Sequence, residues 1–100
     1  MPRKAKKAVK ATKFDPAEYL DTPKRIAAYL EAVFEDGDPA LIVESVGIVA
    51  KARGMSRIAL ESGLSRESLY RALSGEGRPE FATIAKVVKA MGLRLSVEPA

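Results

Sequence analysis

The stretch MSRIALESGLSRESLYRALS, Met55 to Ser74, collects side chains suited to gripping a phosphate backbone and reading base edges. Arginine carries a planar fork of donors that matches guanine O6 and N7, so Arg66 is the first candidate for base contact. Glu67 can accept from a cytosine amino group, and Arg71 can reach either a base or the backbone. Ser65 and Ser68 are small enough for close approach to bases or phosphate, and Tyr70 offers its hydroxyl to a phosphate oxygen. Arg57 upstream and Arg78 downstream read as phosphate clamps, which set register on a duplex without choosing its sequence. The chemistry expected of these eight residues is recognition of double-stranded DNA.

Bond-making chemistry is poorly supplied by comparison. The chain of 100 residues has no cysteine and no histidine. Thiol nucleophiles, the commonest general base and the usual zinc ligands are therefore missing, so no enzyme, metal site or cofactor is expected. Asp36 and Asp38 flank Gly37 and precede Pro39, a grouping that reads as a helix stop and a cap rather than a metal site. No apolar run approaches a membrane span, and the basic N-terminus is not followed by the apolar core of a signal peptide, which points to the cytoplasm.

Charge divides the sequence into three blocks. Residues 1–13 carry six basic residues and no acid, residues 14–50 carry eight acids against two bases, and residues 51–100 carry nine bases against five acids. A phosphate-binding surface is expected in the last block or on the first. Residues 1–13, MPRKAKKAVKATK, are like-charged and lack apolar periodicity, and are expected to form a disordered basic arm ahead of one domain at 14–100. The arm reads equally as a solubilising tail and as a segment lying along DNA phosphates.

Helical spacing dominates the remainder. Thr22 and Pro23 open a first helix with Ile26, Leu30, Val33 and Phe34 on one face, stopped by Gly37. Asp38 and Pro39 open a second, carrying Ile42, Val46 and Val49 and closed by Gly54; Gly47 inside it implies close backbone contact. Two short helices then meet at Gly63-Leu64. Ala59 is small where they come together, Ile58, Leu64 and Leu69 are apolar pegs, Ala72 completes the buried side, and Ser65 caps a helix from Arg66 to about Leu73. A fifth helix carries Phe81, Ile84, Ala85, Val88 and Met91 before Gly92. In GLRLSV the period changes to two: Leu93, Leu95 and Val97 alternate with Arg94, Ser96 and Glu98. A short strand over Leu93, Arg94, Leu95, Ser96 and Val97 is expected, either pairing with another chain, a dimer mate or a partner, or folded back on its own bundle.

FDPAEYLDTPKRIAAYLEAVFEDGDPALI at residues 14–42, KARGMSRIALESGLSRESLYRALSGEGRP at 51–79 and FATIAKVVKAMGLRL at 81–95 resemble the HigA-like addiction module antidote proteins. The resemblance implies an all-α, five-helix bundle of the phage-repressor helix-turn-helix type, here with the short C-terminal strand. It implies an antitoxin that silences a RelE/HigB-like toxin and represses their shared promoter. A dimer on a palindromic operator is expected, because two half-sites a helical turn apart give the affinity one short helix cannot. The loop Gly75-Glu76-Gly77-Arg78-Pro79 departs from the family, which often has Asn before the proline, and Ile48 stands where Asp is common. A free-standing helix-turn-helix repressor and a protein-interaction bundle using the acidic block are the alternatives.

Overall fold

The computed structural model describes residues 16–74 and 78–100. The basic arm expected over residues 1–13 and the loop residues 75–77 lie outside them. Six helices occur among the described residues: α1 (Pro16–Tyr19), α2 (Pro23–Asp36), α3 (Pro39–Arg53), α4 (Met55–Ser62), α5 (Arg66–Ala72) and α6 (Phe81–Ala90).

Their boundaries follow from local chemistry. Thr22 Oγ1 accepts from the Arg25 N–H at 3.1 Å, and Pro23 occupies the first turn, where a missing donor costs nothing. Asp38 and Pro39 repeat this at α3, with Asp38 Oδ1 accepting from the Ala40 N–H at 3.3 Å. Between α4 and α5, Gly63 sits in the left-handed region at φ 81°, and its N–H and that of Leu64 both donate to the Ala59 carbonyl. A residue with a Cβ adopts that conformation only at a cost, so glycine is what allows the chain to reverse here. Ser65 then caps α5, its Oγ accepting from the Ser68 N–H at 3.0 Å.

Helix α3 is the hub, touching α1, α2, α4 and α6. It can be, because Ser45, Val46, Gly47, Val49 and Ala50 are all buried and leave it apolar on more than one side. Gly47 faces the end of α5 so closely that a Cβ there would lie 3.2 Å from the Leu73 carbonyl oxygen, the close approach expected from sequence. Leu20, Ile26, Leu30, Ile58, Leu69, Leu73, Val87, Val88 and Met91 complete one continuous core. Truncating a fully buried leucine such as Leu69 to alanine costs about 2–5 kcal/mol in such packing.

Several expectations are corrected. The bundle has six helices among the described residues rather than five, because Pro16–Tyr19 forms a turn of helix that packs on α3 and seats Leu20 in the core. The strand over Leu93, Arg94, Leu95, Ser96 and Val97 is not formed within the single chain: residues 93–100 have no regular structure there, since every other described element is helical and none offers a ladder of hydrogen bonds. Phe81, on the expected core stripe of the last helix, is 74% exposed, while Val87 is fully buried. The covered face is Ile84, Val87, Val88 and Met91, and the first turn of α6 runs past what the facing helices cover. Phe34 is likewise more exposed than its place on the α2 stripe implies, at 37%.

Candidate nucleic-acid interface

Helix α5 is held from below by Leu69, which has no exposed surface, and by Leu73 just beyond its end. With two turns and one buried anchor, its remaining circumference faces outward: Ser65, Arg66, Glu67, Tyr70 and Arg71 are exposed and Ser68 is partly so. The expected contact residues of this segment therefore share one accessible surface. Two of the groups are ordered in advance. Arg66 Nη2 donates to the Tyr70 hydroxyl at 3.2 Å, with its guanidinium carbon 5.5 Å from the ring centroid, so Tyr70 steadies the fork of donors by a hydrogen bond and by its π face. The Ser65 hydroxyl donates to Ser68 Oγ at 2.9 Å while serving as the cap, which fixes the entry to the helix.

The two candidate clamps lie elsewhere. Arg78 is exposed in the segment leading to α6. Arg57, on α4, is bound to Glu61 one turn later at 3.3 Å, an exposed pair of small energetic weight. It does not adjoin the α5 surface through any described hydrogen bond. Instead Arg57 lines an open cleft of about 500 Å³ between α4 and α6, together with Arg53, Lys86 and Lys89. Sequence reasoning missed these three cations as neighbours. Lys86 and Lys89 are three apart on α6, which signals a shared face, whereas Arg53 ends α3 and Arg57 lies on α4 beyond the break at Gly54. Only the packing of α3 and α4 on α6 brings the four together. Arg53 also donates from Nη1 to the Asp21 carbonyl at 3.2 Å, tying the end of α3 to the α1–α2 connection, so with the Arg57–Glu61 pair two of the four are engaged within the chain.

Leu93, Arg94, Leu95, Ser96 and Val97, expected to meet a protein partner, lie away from α5. Leu93 to Ser96 border a groove of about 370 Å³ with Leu30 and Phe34 of α2 and Val88 of α6. Among the described residues no cluster of acidic side chains could hold a metal ion, and no helix is long and apolar enough to cross a membrane.

Residues 10–99 match the family described as "Probable addiction module antidote protein". A protein of Haemophilus influenzae described as uncharacterized is 46% identical over 85 residues, covering 85% of this chain and 88% of that protein. No solved structure matches the chain.

Proposed function

Because the chain belongs to the family of probable addiction module antidote proteins, we propose that it is the antitoxin of a two-component module that silences a RelE/HigB-like toxin and represses its own promoter. The observation that carries this reading is the family match, which spans residues 10–99 and so takes in every described element. In this reading α4, the Gly63 turn and α5 act as a helix-turn-helix of the phage-repressor type. The outward presentation of Arg66, Glu67, Tyr70 and Arg71 on α5 supports it, since a reading helix must offer polar side chains on a face its own bundle leaves free.

The mechanism follows from that presentation. One two-turn helix makes few base contacts, so a homodimer on a palindromic operator supplies the second set. Arg66 reads a base edge, steadied by Tyr70, while Arg57 and Arg78 hold phosphates and fix register. The acidic residues of α2, among them the exposed Glu31, Glu35 and Asp36, offer a complementary field to a small basic toxin and would speed its capture.

The toxin half is tested by inducing the small protein encoded beside this one, alone and together with this chain. Growth arrest in the first case and recovery in the second are expected. Arrest that persists at equal expression contradicts the antidote reading.

A further inference from the structure

The chain leaves its last segment without regular structure and without a ladder partner. The Leu93 N–H donates to the Val88 carbonyl at 3.3 Å, and no backbone hydrogen bond among the described residues involves residues 94–98. Val97 is 98% exposed and Leu95 40% exposed, although both continue the alternation begun by the half-buried Leu93. A row of free donors and acceptors in a segment whose side chains alternate apolar and polar can pair with another such segment as a two-stranded ribbon.

We propose that the other segment is the same one from a second copy, and that the two pair antiparallel about a two-fold axis through Ser96. The self-complementarity of the segment carries this. In an antiparallel pair, directly opposed residues point to the same side, so only registers that match apolar to apolar preserve the alternation. Centring on Ser96 sets Leu95 opposite Val97 of the second copy and Arg94 opposite Glu98, and the symmetry gives each pair twice. Centring on Leu95 or Val97 leaves Arg94 facing Ser96 or Ala100. Among these registers, that on Ser96 alone opposes the arginine to the glutamate, both of them exposed in the single chain.

Leu93 and Leu95 border the groove beside Leu30 and Phe34, as do Arg94, Ser96 and Glu98, while Val97 stands clear of it in the single chain. In the ribbon the second copy's Val97 lies alongside Leu95, over that groove, and covers both exposed apolar side chains. The dimer of the proposed repressor thereby gains a location, and the pairing depends on the repressor reading only for its biological use. Dimerisation is measured without DNA or toxin, so a failure here is distinguishable from a failure of DNA reading.

Sedimentation equilibrium of the full chain provides the test, with circular dichroism confirming the helical fold of each variant. Wild type is expected to dimerise. Arg94→Glu and Glu98→Arg each oppose like charges twice and are expected to weaken the dimer about tenfold or more. Mixing the two variants is expected to restore association. In the heterodimer positions 94 and 98 of one chain are both acidic and those of the other both basic, so each cross-strand pair again joins opposite charges. A wild type that stays monomeric at about 100 µM, single variants that dimerise like wild type, or a mixture no tighter than its parts would each overturn the proposal. So would an Arg94→Glu variant that keeps its dimer but loses co-purification with the toxin, since the segment would then belong to that interface.

Discussion

Replacing Gly63 by alanine isolates the backbone requirement of the α4–α5 turn. Gly63 has φ 81°, and a Cβ built on it would meet no atom within 4 Å. No collision contributes, so the loss is that of holding an L-residue in the left-handed region, about 1–2 kcal/mol. For a domain of this size each 1 kcal/mol lowers Tm by about 4–8 °C. Asparagine tolerates the same conformation better than alanine, so the expected order of stability is Gly63, then Gly63→Asn, then Gly63→Ala. Steric crowding would give the opposite order for the two variants, asparagine being larger. Thermal melts and urea titrations with unchanged m would measure it. An alanine variant as stable as wild type, or an asparagine variant less stable than the alanine one, refutes the assignment of an open, left-handed turn.

Three further outcomes are expected. Ser65→Ala removes the oxygen that accepts from the Ser68 N–H and should cost about 1 kcal/mol, read as a lower urea midpoint; no change would mean the cap carries nothing. Gly47→Ala gains about 1 kcal/mol of helix propensity but drives a Cβ to 3.2 Å from the Leu73 carbonyl oxygen, where overpacking costs about 1–3 kcal/mol. A net loss is expected because the obstructing atom is backbone attached to a buried side chain, and a raised Tm would show that the end of α5 yields freely. Arg57→Ala should weaken binding to operator and random duplex alike and make the salt slope shallower by about one; a loss confined to the operator would make Arg57 a base contact.

Much of the frame was legible because helix ends are local. Thr22-Pro23, Asp38-Pro39, Gly63 and Ser65 act on atoms within a few residues, and each boundary expected from them lies within a residue or so of the observed one. What depended on distant packing was less legible. Val87 and Leu73 are buried by elements far along the chain, and Phe81 fits the helical period yet has nothing over it. The alternation at Leu93 to Val97 was a real pattern, but a strand exists only through its neighbour, and one chain of helices supplies none. At the candidate site the exposed residues of α5 could be picked out from the pegs Ile58 and Leu69 that bury its other side. The Arg66–Tyr70 contact follows from their spacing of four, whereas the gathering of Arg53, Arg57, Lys86 and Lys89 required the tertiary fold.

The central question is whether α5 reads sequence. Fluorescence anisotropy with the DNA upstream of the protein's own gene, set against a scrambled duplex at two salt concentrations, measures this for wild type and Arg66→Ala. Wild type is expected to prefer its own DNA by about a thousandfold or more, with the preference surviving higher salt while both affinities fall. Arg66→Ala should cut that preference by about tenfold to a hundredfold and leave binding to the scrambled duplex nearly unchanged. Equal affinity of the wild-type protein for both duplexes at both salt concentrations would contradict sequence reading by α5.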